Sequence, residues 1–82
     1  MNKNELQHYE EALKAFIAAT KAPQLAILAN MVSMAEAEEI LQEAYLKVYL
    51  LVSKKPNQAQ PLAQFMALQP LLFAMVKNLA IS

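Results

Sequence analysis

Four glutamates, Glu36, Glu38, Glu39 and Glu43, fall within eight residues and hold most of the reactive chemistry of this 82-residue chain. Clustered carboxylates can ligate metal ions, but a dinuclear carboxylate site draws Glu-x-x-His from more than one helix. No Glu-x-x-His is present, and the single histidine, His8, lies on the polar flank of the first periodic segment. No metal and no other cofactor is expected. A catalytic triad has no support, because cysteine is absent and one histidine provides no constellation. The absence of glycine removes the glycine-rich phosphate loop. The residue set points to a protein that binds and performs no catalysis.

Binding chemistry is present. From Ala37 to Tyr49 the residues divide between two sides of a helix. Ala37, Ile40, Leu41, Ala44, Tyr45 and Val48 recur at steps of three and four and make an apolar stripe. Glu39, Gln42, Glu43 and Leu46 fall opposite, with Tyr49 close by. That outward side is acidic and amide-bearing, and it ends in exposed apolar groups. Carboxylates accept charge-assisted bonds from arginine, and Gln42 offers both a donor and an acceptor. Such a surface suits a basic partner. The alternative is a solvated face on which Glu43 and Lys47 form an ordinary helical pair worth about 0.2–0.5 kcal/mol.

The same segment resembles the second conserved region of bacterial RNA polymerase sigma factors, most of all the extracytoplasmic-function type. There the run tends to read Ala-Glu-Asp-Leu-Val-Gln-Glu-x-Phe-Leu-Arg-Val-Trp. Leu71 to Ser82 is similar to a second block of that family, Trp-Leu-Tyr-Arg-Ile-Ala-Arg-Asn-Leu-Ala-Ile-Asp. The two blocks stand in the family's order and cover about a third of the chain. The resemblance implies a small helical domain of a cytoplasmic transcription initiation factor that docks on the β′ clamp helices of RNA polymerase core. Carried over position by position, the docking residues are Glu39, Gln42 and Glu43, with Leu46 and Tyr49 as apolar anchors. It also implies promoter DNA as a partner within the holoenzyme, and an anti-sigma factor. In the family, the helix end bearing the asparagine of the second block leads into the loop that captures a flipped base of the −10 element. Asn78 is therefore a candidate base reader, and Lys77 a candidate phosphate contact. Asn78 can equally be a helix-end residue.

Several positions depart from the family. Leu71 stands where tryptophan is frequent, and Ala74 where a basic residue is frequent. The family's basic promoter-contacting helix follows the point where this chain ends, at Ser82. Promoter recognition by this chain is therefore expected to be weak or incomplete. A second reading is a helical protein–protein interaction module unrelated to transcription, functioning as a homodimer. A small chain buries only about 60–65% of its unfolded surface, and 57% hydrophobic content is rich for that size, so either the core is unusually apolar or some apolar surface meets a partner.

The elements that must position these residues are helical. Glycine, which tight β-turns require, is missing, and strong helix formers dominate the composition. An all-α bundle of three to four helices in a single domain is expected. The first helix should run from about Glu5 to Thr20, capped by Asn4, with Leu6, Tyr9, Leu13, Phe16, Ile17 and Thr20 inward. Lys21-Ala22-Pro23 should end it, and Pro23 should open a short second helix from about Gln24 to Val32. That helix is apolar nearly all round, so burial on more than one side is expected. Ser33-Met34-Ala35-Glu36 reads as a capping box opening the next helix, to about Ser53, although the two could also be continuous. Lys54 to Gln60 reads as a loop. Pro61 can open a helix, and Pro70 must kink, break or restart it before a last helix from about Leu71 to Ala80. Tyr9, Phe16, Tyr45 and Phe73 are expected in the core, with Met31, Met34, Met66 and Met75 filling gaps.

Charge argues against autonomous nucleic-acid binding. Seven acids balance seven lysines, and arginine is absent. A nucleic-acid-binding domain carries a basic patch, and none stands out here. The lack of cysteine removes disulfides and permits a cytosolic setting. Asn2 to Glu11 is too polar for a secretory start. The most apolar run, Pro61 to Val76, is too short and too interrupted for a membrane span.

Overall fold

Phe16, Thr20, Gln24 and Leu28 follow one another at four-residue steps, and none is more than 1% exposed. They form the inward stripe of a helix that continues straight through Pro23. The computed structural model describes the backbone of residues 3–54 and 60–81, and the side chains of residues 7–54 and 60–81. Four α-helices make up the described residues: α1 Lys3–Leu28, α2 Met34–Lys54, α3 Pro61–Ala67 and α4 Gln69–Ile81. Among the described residues there is no strand. Each helix touches the other three, and α1, at 26 residues, sets the 40 Å long dimension.

The break expected at Lys21-Ala22-Pro23 does not occur. Pro23 sits inside α1, where it cannot donate a backbone bond to Ala19 and crowds that carbonyl, at a cost of about 3 kcal/mol. Burial on both sides of it outweighs this local penalty. Thr20 precedes Pro23 and Gln24 follows it, and both are enclosed. The segment after Pro23 is therefore the end of α1, with one buried side: Gln24 and Leu28 face inward, while Ala26 is exposed. α1 already includes Asn4, so Asn4 does not cap it, and its side chain and that of Leu6 lie outside the described residues.

The real interruption is at 29–33. Met31 and Val32 both donate to the Leu28 carbonyl, at 2.9 and 3.0 Å, which closes α1 with a tight turn. Ser33 then caps α2: its carbonyl accepts the first helical bond from Ala37 (2.9 Å), and its Oγ accepts from the Glu36 amide (3.2 Å). The hydroxyl donates in turn to Glu36 Oε1 at 3.2 Å. Residues 55–59 of the expected loop lie outside the described residues. Pro61 occupies the first turn of α3, where its missing N–H costs nothing. Leu68 donates back to Phe65 (2.9 Å) and ends α3. Pro70 then stands in the first turn of α4, which leaves α3 at 52°.

The core gathers around stacked aromatic rings. Phe16 meets Phe65 nearly parallel at 5.6 Å and Tyr45 edge-on at 5.9 Å, while Tyr49 stacks on Phe65 at 6.4 Å. Leu28, Val48, Leu72 and Val76 complete it, all fully buried. Tyr9, Phe16 and Tyr45 are buried as expected and Phe73 is half-buried. Met31, Met34 and Met66 are exposed and do not fill core gaps, because they fall on the turn or on outward helix positions; Met75 packs at the core margin.

Candidate docking face

The expected apolar stripe of α2 is the one the fold buries. Ala37, Leu41, Ala44, Tyr45 and Val48 are enclosed and Ile40 is half-buried. Glu39, Gln42, Glu43 and Leu46 consequently point outward, and all four are exposed. Leu46 is 57% exposed in the middle of the 21-residue α2. Leu50, one turn further on, is 47% exposed. Tyr49 differs from the other four residues of the set. It is half-buried because its ring stacks on Phe65 of α3, so it anchors the fold as well as edging the face.

Two apolar grooves flank this face. One, of about 370 Å³, runs between α1 and α2 and is lined by Leu13 and Ile17 of α1 and by Gln42, Tyr45, Leu46 and Tyr49 of α2. A cavity of about 150 Å³ can hold a benzene ring, so this groove has room for more than one large side chain. Lys21 and Glu38 line the same groove and face each other across the two helices at 3.6 Å, the single ion pair among the described residues. Glu38 is thereby engaged with α1, and Glu43 and Lys47 do not pair. The second groove, of about 320 Å³, lies between α2 and α4 and is lined by Leu50, Leu51, Leu71 and Met75, with Lys47 and Lys54 at its edge.

Beneath the face, α2 is tied to α1 by a buried polar link. The Thr20 hydroxyl donates to the Phe16 carbonyl at 2.8 Å. Its oxygen lies 2.6 Å from the Tyr45 hydroxyl, which must then be the donor, since each hydroxyl has one proton. Burial raises the Tyr45 phenol above its ordinary value. On the far side of the core, the Gln64 amide nitrogen reaches the Tyr9 hydroxyl at 3.5 Å.

The candidate DNA contacts lie elsewhere. Lys77 and Asn78 are adjacent and exposed near the end of α4, which continues to Ile81, so Asn78 belongs to a helical turn. They are separate from the α2 face. Among the described residues no cluster of His, Asp or Glu could hold a metal. No single described helix is long and apolar enough to cross a membrane; α3 and α4 together are apolar enough but are bent against each other. Sequence reasoning missed the groove between α1 and α2, and the roles of Phe65 and Gln64. Phe65 lies in the seven-residue α3, and no spacing within so short a segment marks it as core. No protein-family model, curated protein or solved structure matches this chain.

Proposed function

We propose that this chain is the polymerase-docking module of a sigma-type transcription initiation factor, acting by binding rather than by catalysis. The observation that carries the reading is Leu46, exposed in the middle of α2 among Glu39, Gln42 and Glu43. A leucine there loses contact with water only if a partner covers it. The acids that precede it, Glu39 and Glu43, suit a basic partner, as the clamp helices of RNA polymerase β′ would be, while Lys47 follows it. The first block that carries the family resemblance falls on α2, and residues 71–81 of the second fall on α4, and the two helices pack together.

In this reading Leu46, with the adjoining edge of Tyr49, supplies most of the docking energy, because a few desolvated apolar anchors dominate most interfaces. Glu39 and Glu43 give orientation and association rate, as exposed charges do. Gln42 adds a hydrogen bond to the partner. Lys77 and Asn78 reach promoter DNA only within the holoenzyme, where the polymerase supplies the basic surface this chain lacks.

The test is a titration of bacterial RNA polymerase core with the parent chain, Leu46→Ala and Glu43→Lys. Truncating Leu46 should weaken binding by about 1–3 kcal/mol. Reversing Glu43 should mainly slow association, with a smaller effect at high salt. Absence of saturable binding by the parent, or equal binding by all three chains, would rule out the reading.

A further inference from the structure

The outer face of α2 carries its own complement. Its charges are segregated along the helix: Glu36, Glu39 and Glu43 come first, and Lys47 and Lys54 follow. All five side chains are exposed, and none forms an ion pair among the described residues. Leu46 and Leu50 stand between the two halves, 57% and 47% exposed. A face that runs from acid through leucine to base cannot match a parallel copy of itself, since that sets acid on acid and base on base. It matches a reversed copy.

We infer that this face pairs with the same face of a second copy of this chain, α2 lying antiparallel to α2. A two-fold axis passing between Leu46 and Lys47 brings Glu39 opposite Lys54 of the second copy. It brings Glu43 opposite Leu50 of the second copy, one helical turn from both Lys47 and Lys54 there. The symmetry repeats each pairing, as an isologous contact requires. Leu46 and Leu50 of both copies form the apolar centre. Beyond Leu50 the apolar surface continues into Leu51, Leu71 and Met75, so the covered surface is wider than one helix.

The interface is small. A helix of 21 residues is about 30 Å long, and a contact centred on one helix per copy falls at the weak end of specific interfaces, below about 1,200 Å² in total. The dimer is therefore concentration-dependent and salt-sensitive, since its outer contacts are exposed charges. This inference does not rest on the polymerase reading. If both hold, the dimer hides the docking face, and dissociation must precede docking.

Sedimentation velocity over a micromolar to near-millimolar range tests it on the chain alone. The parent should shift from monomer to dimer, less so at high salt. The double variants E39K/E43K and K47E/K54E each place like charges opposite one another, so each should self-associate at least tenfold more weakly. Mixed in equal amounts, the two should associate again, because each now supplies what the other lacks. Circular dichroism on each variant confirms that the helices remain. A parent that stays monomeric throughout, reversed variants that dimerise like the parent, or a mixture that fails to associate would each overturn the inference. Polymerase takes no part in the assay, so its outcome is independent of the proposed function.

Discussion

Gln24 should be a source of instability that one substitution removes. Its side chain is fully buried, and neither Nε2 nor Oε1 has a hydrogen-bond partner. It sits directly after Pro23 on the inward stripe of α1, between Thr20 and Leu28. Burying a polar group without a partner costs about 1–3 kcal/mol. Methionine has similar length, no branch and no polar demand, and volume-conserving swaps of this kind lose at most about 1.5 kcal/mol to imperfect fit. Gln24→Met should therefore raise stability by about 1 kcal/mol, the middle of the amide penalty less the middle of the fit term. For a domain of this size each kcal/mol moves the melting temperature by about 4–8 °C. Urea unfolding followed by circular dichroism should show a higher midpoint with an unchanged slope. Gln24→Ala is the control: it removes the amide but leaves a void, and should gain less or lose. A Met variant that loses more than about 0.5 kcal/mol, beyond what imperfect fit explains, would refute the reasoning, since it would mean that the amide is satisfied, for instance by a buried water.

Three further outcomes follow from the core and from α4. Tyr45 binds its proton more tightly folded than unfolded, because burial raises the phenol. Its contribution is intact below about pH 10, the unfolded value, and is lost as pH climbs through the raised folded value. Alkaline denaturation should be flatter in Tyr45→Phe, which should also lose about 0.5–1.5 kcal/mol at neutral pH with the Thr20 bond. Phe65→Ala should cost about 3–5 kcal/mol, enough to release α3 and most of the fold, as loss of helical circular dichroism at room temperature would show. The chain alone should bind a labelled promoter strand weakly, with a shallow salt dependence, because each phosphate contact adds only about 0.7–0.9 to the slope. Any base preference should disappear in Asn78→Ala, and tight salt-resistant binding by the parent would contradict this.

What was legible in the sequence was whatever local periodicity decides. The inward and outward sides of α2 follow directly from the spacing of Ala37, Leu41, Ala44, Tyr45 and Val48. The Ser33 cap and the Pro61 start follow from residue type at a helix end. What was not legible depended on contacts between distant segments. Pro23 breaks a helix by every local rule, yet α1 continues because Thr20, Gln24 and Leu28 are buried together on either side of it. Phe65 lies in a seven-residue helix between two prolines, too short for periodicity to assign, and it stacks on both Phe16 and Tyr49. The same stacking turns Tyr49 from a simple surface anchor into a half-buried one. The groove beside Leu46 needed α1 laid against α2, which no spacing within α2 can reveal. The exposed methionines show the converse: apolar residues at outward positions stay outside.

In the proposed function, the α2 face around Leu46 contacts the β′ subunit of RNA polymerase. A photo-activated cross-linking residue placed at Leu46 tests it most directly, with the same residue at Ala18, exposed on α1, as the control. After irradiation with polymerase core, the position-46 probe should label β′ within its clamp helices, and the position-18 probe should not. Labelling of another subunit, equal labelling from both positions, or no labelling from position 46 at saturating polymerase would contradict the account.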